Sequence, residues 1–405
     1  MVFVAAFGLY AASAGVTLWR GSLAPHYVYL AYSLLRGHVD LVALPPTTYD
    51  LLAYQGRWFV AGSPLPAILL MPFVALWGLG VSDIPFGVLV AAVNVALMYD
   101  LLGAMQVSES VRRWLTALFA AGTVHWYVAA IGSYWFNAHV VAVLFVILYA
   151  RETLGRGRGC LAGFWLALAG LARPTVLFAA PFFIAWEWTR RRDARLFLRA
   201  LVSFGSVLAL GVGAHLAYNA ARFGAPLNFG YAYVQGAENI TSAYARYGGF
   251  NLRFVPFNFY VSLLRPPDIL PRFPFLRPSP WGMSIFLTTP AFLYIFATFR
   301  RVGRDDILSD CNPFVIASWA GLLGVMVPLW MYHNTGSLQF GYRYSLDAAP
   351  FLMLLTAIGM QGQMNWLKRG LVIASILINW AGMAWMFAHF NGFGWVGMWY
   401  RLVVG

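Results

Sequence analysis

The sequence predicts an all-α, polytopic membrane protein, a single transmembrane domain spanning residues 1–405 with about eleven membrane-crossing helices. Three observations carry that prediction. Apolar runs of ~18 or more residues, long enough to cross a bilayer, recur from Val2 to the neighbourhood of His389. The chain is 61% hydrophobic and 10% charged with a mean hydropathy of +0.68, which leaves no stretch for a separate soluble domain. The connections between the apolar runs also alternate, one kind short and basic, the other long, aromatic and rich in Gly and Pro.

Taken in order, the expected spanning helices are 2–19, 84–106, 111–131, 135–152, 159–172, 174–189, 196–220, 283–299, 314–332, 344–361 and 370–388. The first lacks a positive n-region and an Ala-x-Ala-like cleavage site, so it reads as a retained helix rather than a signal peptide. Arg173-Pro174 divides a 31-residue apolar stretch, because proline disfavours helix at the residue before it; two short helices fit better than one long span. Segment 65–82, LPAILLMPFVALWGLGVS, carries Pro66 and Pro72 and lies between two outer regions. It reads as a re-entrant or interfacial helix; counted instead as a twelfth span, it would put the N-terminus outside. Loop 221–282 reads as the one large region without helical pattern, and its 266–280 stretch holds six prolines.

The net charge of +13 would suggest nucleic acid in a soluble protein, but here the bases sort by side, and no nucleic-acid partner is expected. Arg112/Arg113, Arg151/Arg156/Arg158, Arg190/Arg191/Arg192/Arg195/Arg199, Arg300/Arg301/Arg304 and Lys368/Arg369 hold fifteen of the 27 Lys and Arg. The helices above put all five clusters on one face, which the positive-inside bias assigns to the cytoplasm. Loops 20–83, 132–134, 221–282 and 333–343 then share the outer face. Lys368 is the only lysine, so nearly every positive charge is a guanidinium, the group that binds phosphate bidentately; a compositional bias of the genome explains the same count. Cys160 and Cys311 fall in or beside basic loops on the reducing side, where no disulfide is expected, and no Cys-based metal site is available. The Asn239-Ile240-Thr241 sequon lies on the outer side and has meaning only in a host that glycosylates it.

Polar residues of the outer face are the candidates for chemistry, since charged groups near membrane depth are costly and face cavities. HYVYLAYSLLRGHVDL and TYDLLAYQGRWF supply His26, Arg36, His38, Asp40, Asp50 and Arg57. Tyr27, Leu30 and Leu34 with polar neighbours read as an amphipathic helix lying in the interface. Asp40 or Asp50 is a candidate general base, against a helix-capping acid or a partner of Arg36 or Arg57. Stretch 122–139 places His125, Asn137 and His139 near the outer ends of two helices. No third ligand has metal-site spacing, so hydrogen-bonded structural histidines are the simpler reading. Trp126, Tyr127, Tyr134 and Trp135 read as an interfacial aromatic belt or as a stacking surface for a sugar ring. Asp83, before Ile84-Pro85, reads as an N-cap.

Arg173 in GLARPT sits at the outer break between two helices, and Arg343 in LQFGYRYSLDAAPF opens another from the outer side. Each joins a guanidinium to a helix terminus, an arrangement suited to a phosphate. Asp347, four residues after Arg343, offers an internal ion pair instead. Arg265, Arg272 and Arg277 form a further basic set on the proline-rich loop. No Walker loop, GxGxxG, HExxH or GxSxG context occurs, so soluble nucleotide chemistry, zinc proteolysis and nucleophile-elbow hydrolysis lack support.

The order HYVYLAYSLLRGHVDL, YQGRWFVAGSPLPAILLMPF, GTVHWY, SYWFNAH, GLARPT, LTTPAFLY and FGYRYSLDAAPFLMLL resembles the GT-C superfamily of integral-membrane glycosyltransferases. The resemblance is in particular to the bacterial relatives of protein O-mannosyltransferases and to the lipid A aminoarabinose transferase. That resemblance implies a plasma-membrane enzyme with an outer-face site, interfacial helices after the first span, a polyprenyl-phosphate-linked sugar as donor and an inverting transfer to an acceptor. On this reading Arg173 and Arg343 would hold the donor phosphate, Asp40, His26 or Asp50 would remove the acceptor proton, and His139 with Asn137 would orient one substrate. Family enzymes usually carry an acid directly after the first helix, as base or metal ligand, which leaves a divalent cation as the one open cofactor. Here that stretch reads RGSLAPHYVYLA, with His26 and no acid, so a non-enzymatic lipid-binding or structural subunit of a membrane complex stands as the rival reading. A transporter fits less well, since no internal repeat is present.

Overall fold

The computed structural model describes residues 1–191, 193–272, 275–299, 313–361 and 363–390. The expected cluster Arg300/Arg301/Arg304, Arg192 and Cys311 lie outside the described residues, as does the side chain of Asn239. The protein is an all-α membrane helical protein. Among the described residues six helices are long and apolar enough to span a membrane: Val2–Trp19, Ile84–Ala104, Tyr134–Leu154, Ala194–Phe223, Pro313–Met331 and Trp366–Phe390. Glu109–Ala121 and His125–Ile131 make a seventh if their 49° bend is read as one broken span.

The other expected spans are helical but shorter, and 3-10 turns lengthen several of them. Ala349–Gly359 is preceded by the 3-10 segment Arg343–Ala348, and Pro181–Arg190 by Pro174–Ala179. At about 2.0 Å rise per 3-10 residue and 1.5 Å per α residue, each composite reaches roughly 27–28 Å, close to a hydrocarbon core of about 30 Å. Pro290–Thr298 is 3-10 throughout, and Gly159–Ala172 has only 14 residues.

Ala349–Gly359 is the centre of the bundle, buried at every residue. Pro290–Thr298, Pro313–Met331, Tyr134–Leu154 and Glu109–Ala121 pack around it. Gly159–Ala172 lies against Ala194–Phe223. Gly159 and Gly163, one turn apart, permit this: a Cβ on Gly163 would stand 2.4 Å from the Phe204 carbonyl oxygen, and one on Gly159 2.6 Å from that of Ala200. Small residues at such spacing let spanning helices approach without a hydrophobic driving force between them.

Several local expectations need correction. His26–Leu34 is a helix, but His26, Tyr27, Val28, Leu30, Ala31 and Ser33 are all buried, so it is enclosed by protein rather than lying in the interface. Leu65–Trp77 packs on it. At about 1.5 Å per residue this 13-residue helix is too short to cross the bilayer. Leu51–Tyr54 and Arg57–Val60 form an antiparallel hairpin that hydropathy did not reveal. Its Gln55-Gly56 turn has φ of 49° and 74° at successive residues, the geometry that suits the twist of a two-residue hairpin. Loop 221–282 contains helices Glu238–Tyr247 and Val255–Leu263. The first is stabilised by Glu238 in its opening turn and Arg246 in its closing turn, each complementing the helix dipole.

Trp126, Tyr127 and Tyr134 are buried rather than belted around the membrane surface. Trp126 donates to Ser13 Oγ at 2.9 Å, so its polar edge is satisfied inside the bundle. Asp83 stands at the N-cap position of Ile84–Ala104, as expected, but its side chain makes no capping bond. Its carboxylate accepts instead from the Ser22 amide (2.9 Å), the Ser22 hydroxyl (2.7 Å) and the Ser133 amide (3.2 Å), tying three chain segments together. A buried carboxylate must find donors wherever they are, and the helix N-terminus that begins at the next residue is only one source.

Candidate functional site

The site forms where the break at Arg173, helix Tyr134–Leu154 and the segment Arg343–Ala348 meet. Pro174 holds Arg173 in an extended conformation, φ −148° and ψ 111°, which ends the preceding helix and turns the guanidinium across the bundle. The Arg173 Nε–H donates to Asp347 Oδ2 at 2.9 Å, and the Thr175 hydroxyl donates to the same oxygen at 3.2 Å. The other oxygen, Asp347 Oδ1, lies 2.7 Å from His139 Nδ1 on Tyr134–Leu154. Both Asp347 and His139 side chains are fully buried. A buried carboxylate is tolerated when paired and hydrogen-bonded at both oxygens.

Asp347 is therefore the partner of Arg173 and His139, and the expected Arg343–Asp347 pair is absent among the described residues. The cause is local geometry. Residues four apart face each other on an α-helix, but Arg343–Ala348 is a 3-10 segment. At about 3.0 residues per turn, the fourth residue lies roughly a third of a turn away. Tyr344 and Asp347, three apart, share one side, whereas Arg343 points elsewhere.

Arg343 is the unusual member. It is 6% exposed, its Nε has no hydrogen-bond partner, and no carboxylate forms an ion pair with it among the described residues. Its Cζ stands 5.4 Å from the ring centroids of both Phe136 and Tyr344. Ring faces offset part of the cost of burying a cation; they do not replace an anion. Tyr344 is shared: the Arg173 guanidinium lies 5.3 Å from its ring and the His139 ring 5.8 Å.

The loop after the first helix contributes Asp50 beside the site. Asp50, at φ 62°, donates its backbone amide to Gln235 O at 2.7 Å and accepts the Trp135 indole N–H at 2.8 Å. A non-glycine residue held in the left-handed region is costly and clusters at functional sites. Burial pushes the Asp50 carboxyl above its ordinary value, against the pull of the Trp135 and Tyr134 hydrogen bonds and the positive charge of Arg343. Asp50 thus lies within electrostatic reach of Arg343.

The remaining candidates are placed elsewhere. Asp40 faces His38 at 3.4 Å, and no hydrogen bond or ion pair joins it to Arg36, Arg57, Arg173 or Arg343 among the described residues. Arg36 stacks on Tyr32 instead. His26 is buried, with Nε2 donating to the Tyr49 carbonyl at 2.9 Å and its ring stacked on Tyr134 at 4.6 Å. Burial lowers its pKa to about 4, so it is neutral at physiological pH and fastens the segment that carries Asp50. Asn137 lies two residues from His139, and such neighbours do not share a helix face. Its amide donates to the Asp83 carbonyl at 3.2 Å, in the packing network and away from His139. His125 is held by Tyr10 at 2.9 Å and Asn94 at 3.4 Å.

Thr175 and Tyr344 were not found by sequence reasoning, and Asp347 was given the wrong partner. The bonds of Asp347 close over 208 and 174 residues, and no local signal announces them. Among the described residues no group of three His, Cys, Asp or Glu is placed to hold a metal ion. Comparison with known protein families, with characterised proteins and with solved structures finds no match to this chain.

Proposed function

We propose that this protein moves a sugar from a polyprenyl-phosphate donor to an acceptor hydroxyl on the outer face of the plasma membrane. The observation that carries the reading is Arg343, 6% exposed, its Nε without a hydrogen-bond partner and its guanidinium in no ion pair among the described residues. A charge taken out of water needs a partner, and a phosphate supplies one in the planar, bidentate geometry a guanidinium prefers. The donor phosphodiester carries one negative charge and leaves as a phosphate that gains another. Arg343, fixed between two rings, would stabilise that developing charge without reorganising. Arg173, tied to Asp347 by one edge, keeps its remaining N–H groups for the same anion or a sugar hydroxyl.

The test is binding of a polyprenyl phosphate to the full chain in lipid nanodiscs, parent against Arg343→Lys. Lysine keeps the charge and loses the fork. Loss of one charge-assisted hydrogen bond of about 1.5–3 kcal/mol predicts roughly 10–100-fold weaker binding. Equal affinity of the two proteins removes Arg343 from the donor site. Tight binding with no sugar transfer by the parent favours the non-enzymatic subunit, a reading that the missing acid after the first span also favours.

A further inference from the structure

We infer that His139, aimed by Asp347, accepts the proton of the acceptor hydroxyl, in place of an acid on the first outer loop. This rests on the glycosyl-transfer reading above and names its base.

Asp347 fixes the imidazole. Its Oδ2 is occupied by the Arg173 guanidinium and the Thr175 hydroxyl, both donors, which hold the carboxyl as an acceptor. Oδ1 then requires a donor, so the nitrogen facing it at 2.7 Å carries the hydrogen. In neutral imidazole one nitrogen donates and the other accepts, which leaves the lone pair on Nε2. His139 Nε2 is buried and has no hydrogen-bond partner. An orphaned buried acceptor is costly, and what satisfies it must be a donor such as a hydroxyl. A carboxylate orienting one ring nitrogen so that the other takes a proton is the division of labour found in hydrolytic triads.

The placement suits transfer. His139 and Arg343 lie 5.8 Å and 5.4 Å from the Tyr344 ring, so a phosphate held by Arg343 and a hydroxyl on Nε2 would meet beside that ring. The acceptor oxygen forms a bond to the anomeric carbon as the bond from that carbon to the phosphate oxygen breaks. The electron pair leaves with the polyprenyl phosphate, and the acceptor proton passes to Nε2. The imidazolium so formed is flanked by Asp347 and by the negative phosphate on Arg343, both of which stabilise it. Asp50, whose Oδ2 already accepts the Trp135 indole hydrogen, then positions Trp135 and Tyr134 over the site.

Two measurements test the assignment. With parent, His139→Gln and Asp50→Asn in nanodiscs, donor affinity and transfer rate are read separately. His139→Gln should lower the turnover rate by ~100-fold or more and leave polyprenyl-phosphate affinity within about threefold. Asp50→Asn should lose less turnover than His139→Gln, because that carboxyl positions Trp135 and Tyr134 and takes no proton. Transfer by His139→Gln near the parent rate overturns the proposal, as does loss confined to Asp50→Asn. The second measurement needs no turnover: nitrogen-15 NMR of histidine-labelled full chain, with His139 assigned by its absence from His139→Gln, should show the hydrogen on Nδ1 and a bare Nε2. A hydrogen on Nε2 overturns the proposal whatever the transfer assay gives. A bare Nε2 in a chain that binds donor but transfers nothing supports the geometry while rejecting the glycosyltransferase reading, so the two failures are separable.

Discussion

Replacing Arg343 with methionine should make the empty protein more stable and the ligand-bound protein weaker. The side chain is 6% exposed, and among the described residues it has no ion-pair partner and no hydrogen bond at Nε, so the folded state bears a desolvation cost offset by two ring faces and the more distant Asp50. Methionine has similar reach, fills irregular space and has no charge. Exchanging buried charges for apolar side chains of similar volume gains about 1–4 kcal/mol. With unfolding entropy of about 2.1 cal/mol/K per residue, the 405 residues correspond to roughly 0.85 kcal/mol/K. The gain is then about 1–5 °C in Tm. Thermal unfolding followed by intrinsic fluorescence in nanodiscs measures it. A polyprenyl phosphate at a hundredfold excess over its Kd should stabilise the parent by about 2.7 kcal/mol, roughly 3 °C by the same conversion, and leave Arg343→Met unmoved. A lower Tm for the empty variant, or an equal ligand response in both proteins, would refute the view that Arg343 is held for an anion.

Asp50 has a folded-state pKa raised by burial above its ordinary value of 3.8. The folded state therefore holds the proton more tightly than the unfolded one, and stability falls as pH rises from 3.8 through the raised value. Asp50→Asn, which imitates the protonated form and tolerates the left-handed backbone, should flatten that segment of the Tm-against-pH curve; an unchanged slope contradicts the shift. Gly163→Ala should cost about 1–3 kcal/mol by overpacking, since its Cβ would meet the Phe204 carbonyl at 2.4 Å, whereas Gly205→Ala, with nothing within 4 Å, should not destabilise. In a chain freed of Cys160 and Cys311, a Cys at Ile269, 83% exposed, should react with an impermeant reagent on intact cells. A Cys at Arg156, which is also exposed, should react only after permeabilisation; the reverse pattern would invert the orientation and move the basic clusters outside.

The helical membrane class was legible because bilayer thickness sets a length that each apolar run must meet alone, so the signal is local. Boundaries such as 159–172 and 135–152 came within two residues for the same reason. Broken spans were harder: the apolar run 111–131 gives no warning that the helix bends at Gly122–Val124, and 283–299 no warning that it is mostly 3-10. The hairpin at 51–60 went unread because four-residue strands carry too little periodicity to stand out beside helices.

The sequence by itself determined that Arg173 and Arg343 lie at helix termini, since proline and the apolar runs fix both positions. Only the tertiary structure decided what each arginine touches. Asp347 is four residues from Arg343 in the chain, yet the 3-10 winding turns it away, and it closes on Arg173 and His139 across 174 and 208 residues. His139 and Asn137 looked equivalent in SYWFNAH, but one faces the site and the other the Asp83 network, because a helix sends residues two apart to different sides. Charge pairing and side-chain direction depend on how the segments wind and meet, and that is set by packing among distant residues, which no local pattern records.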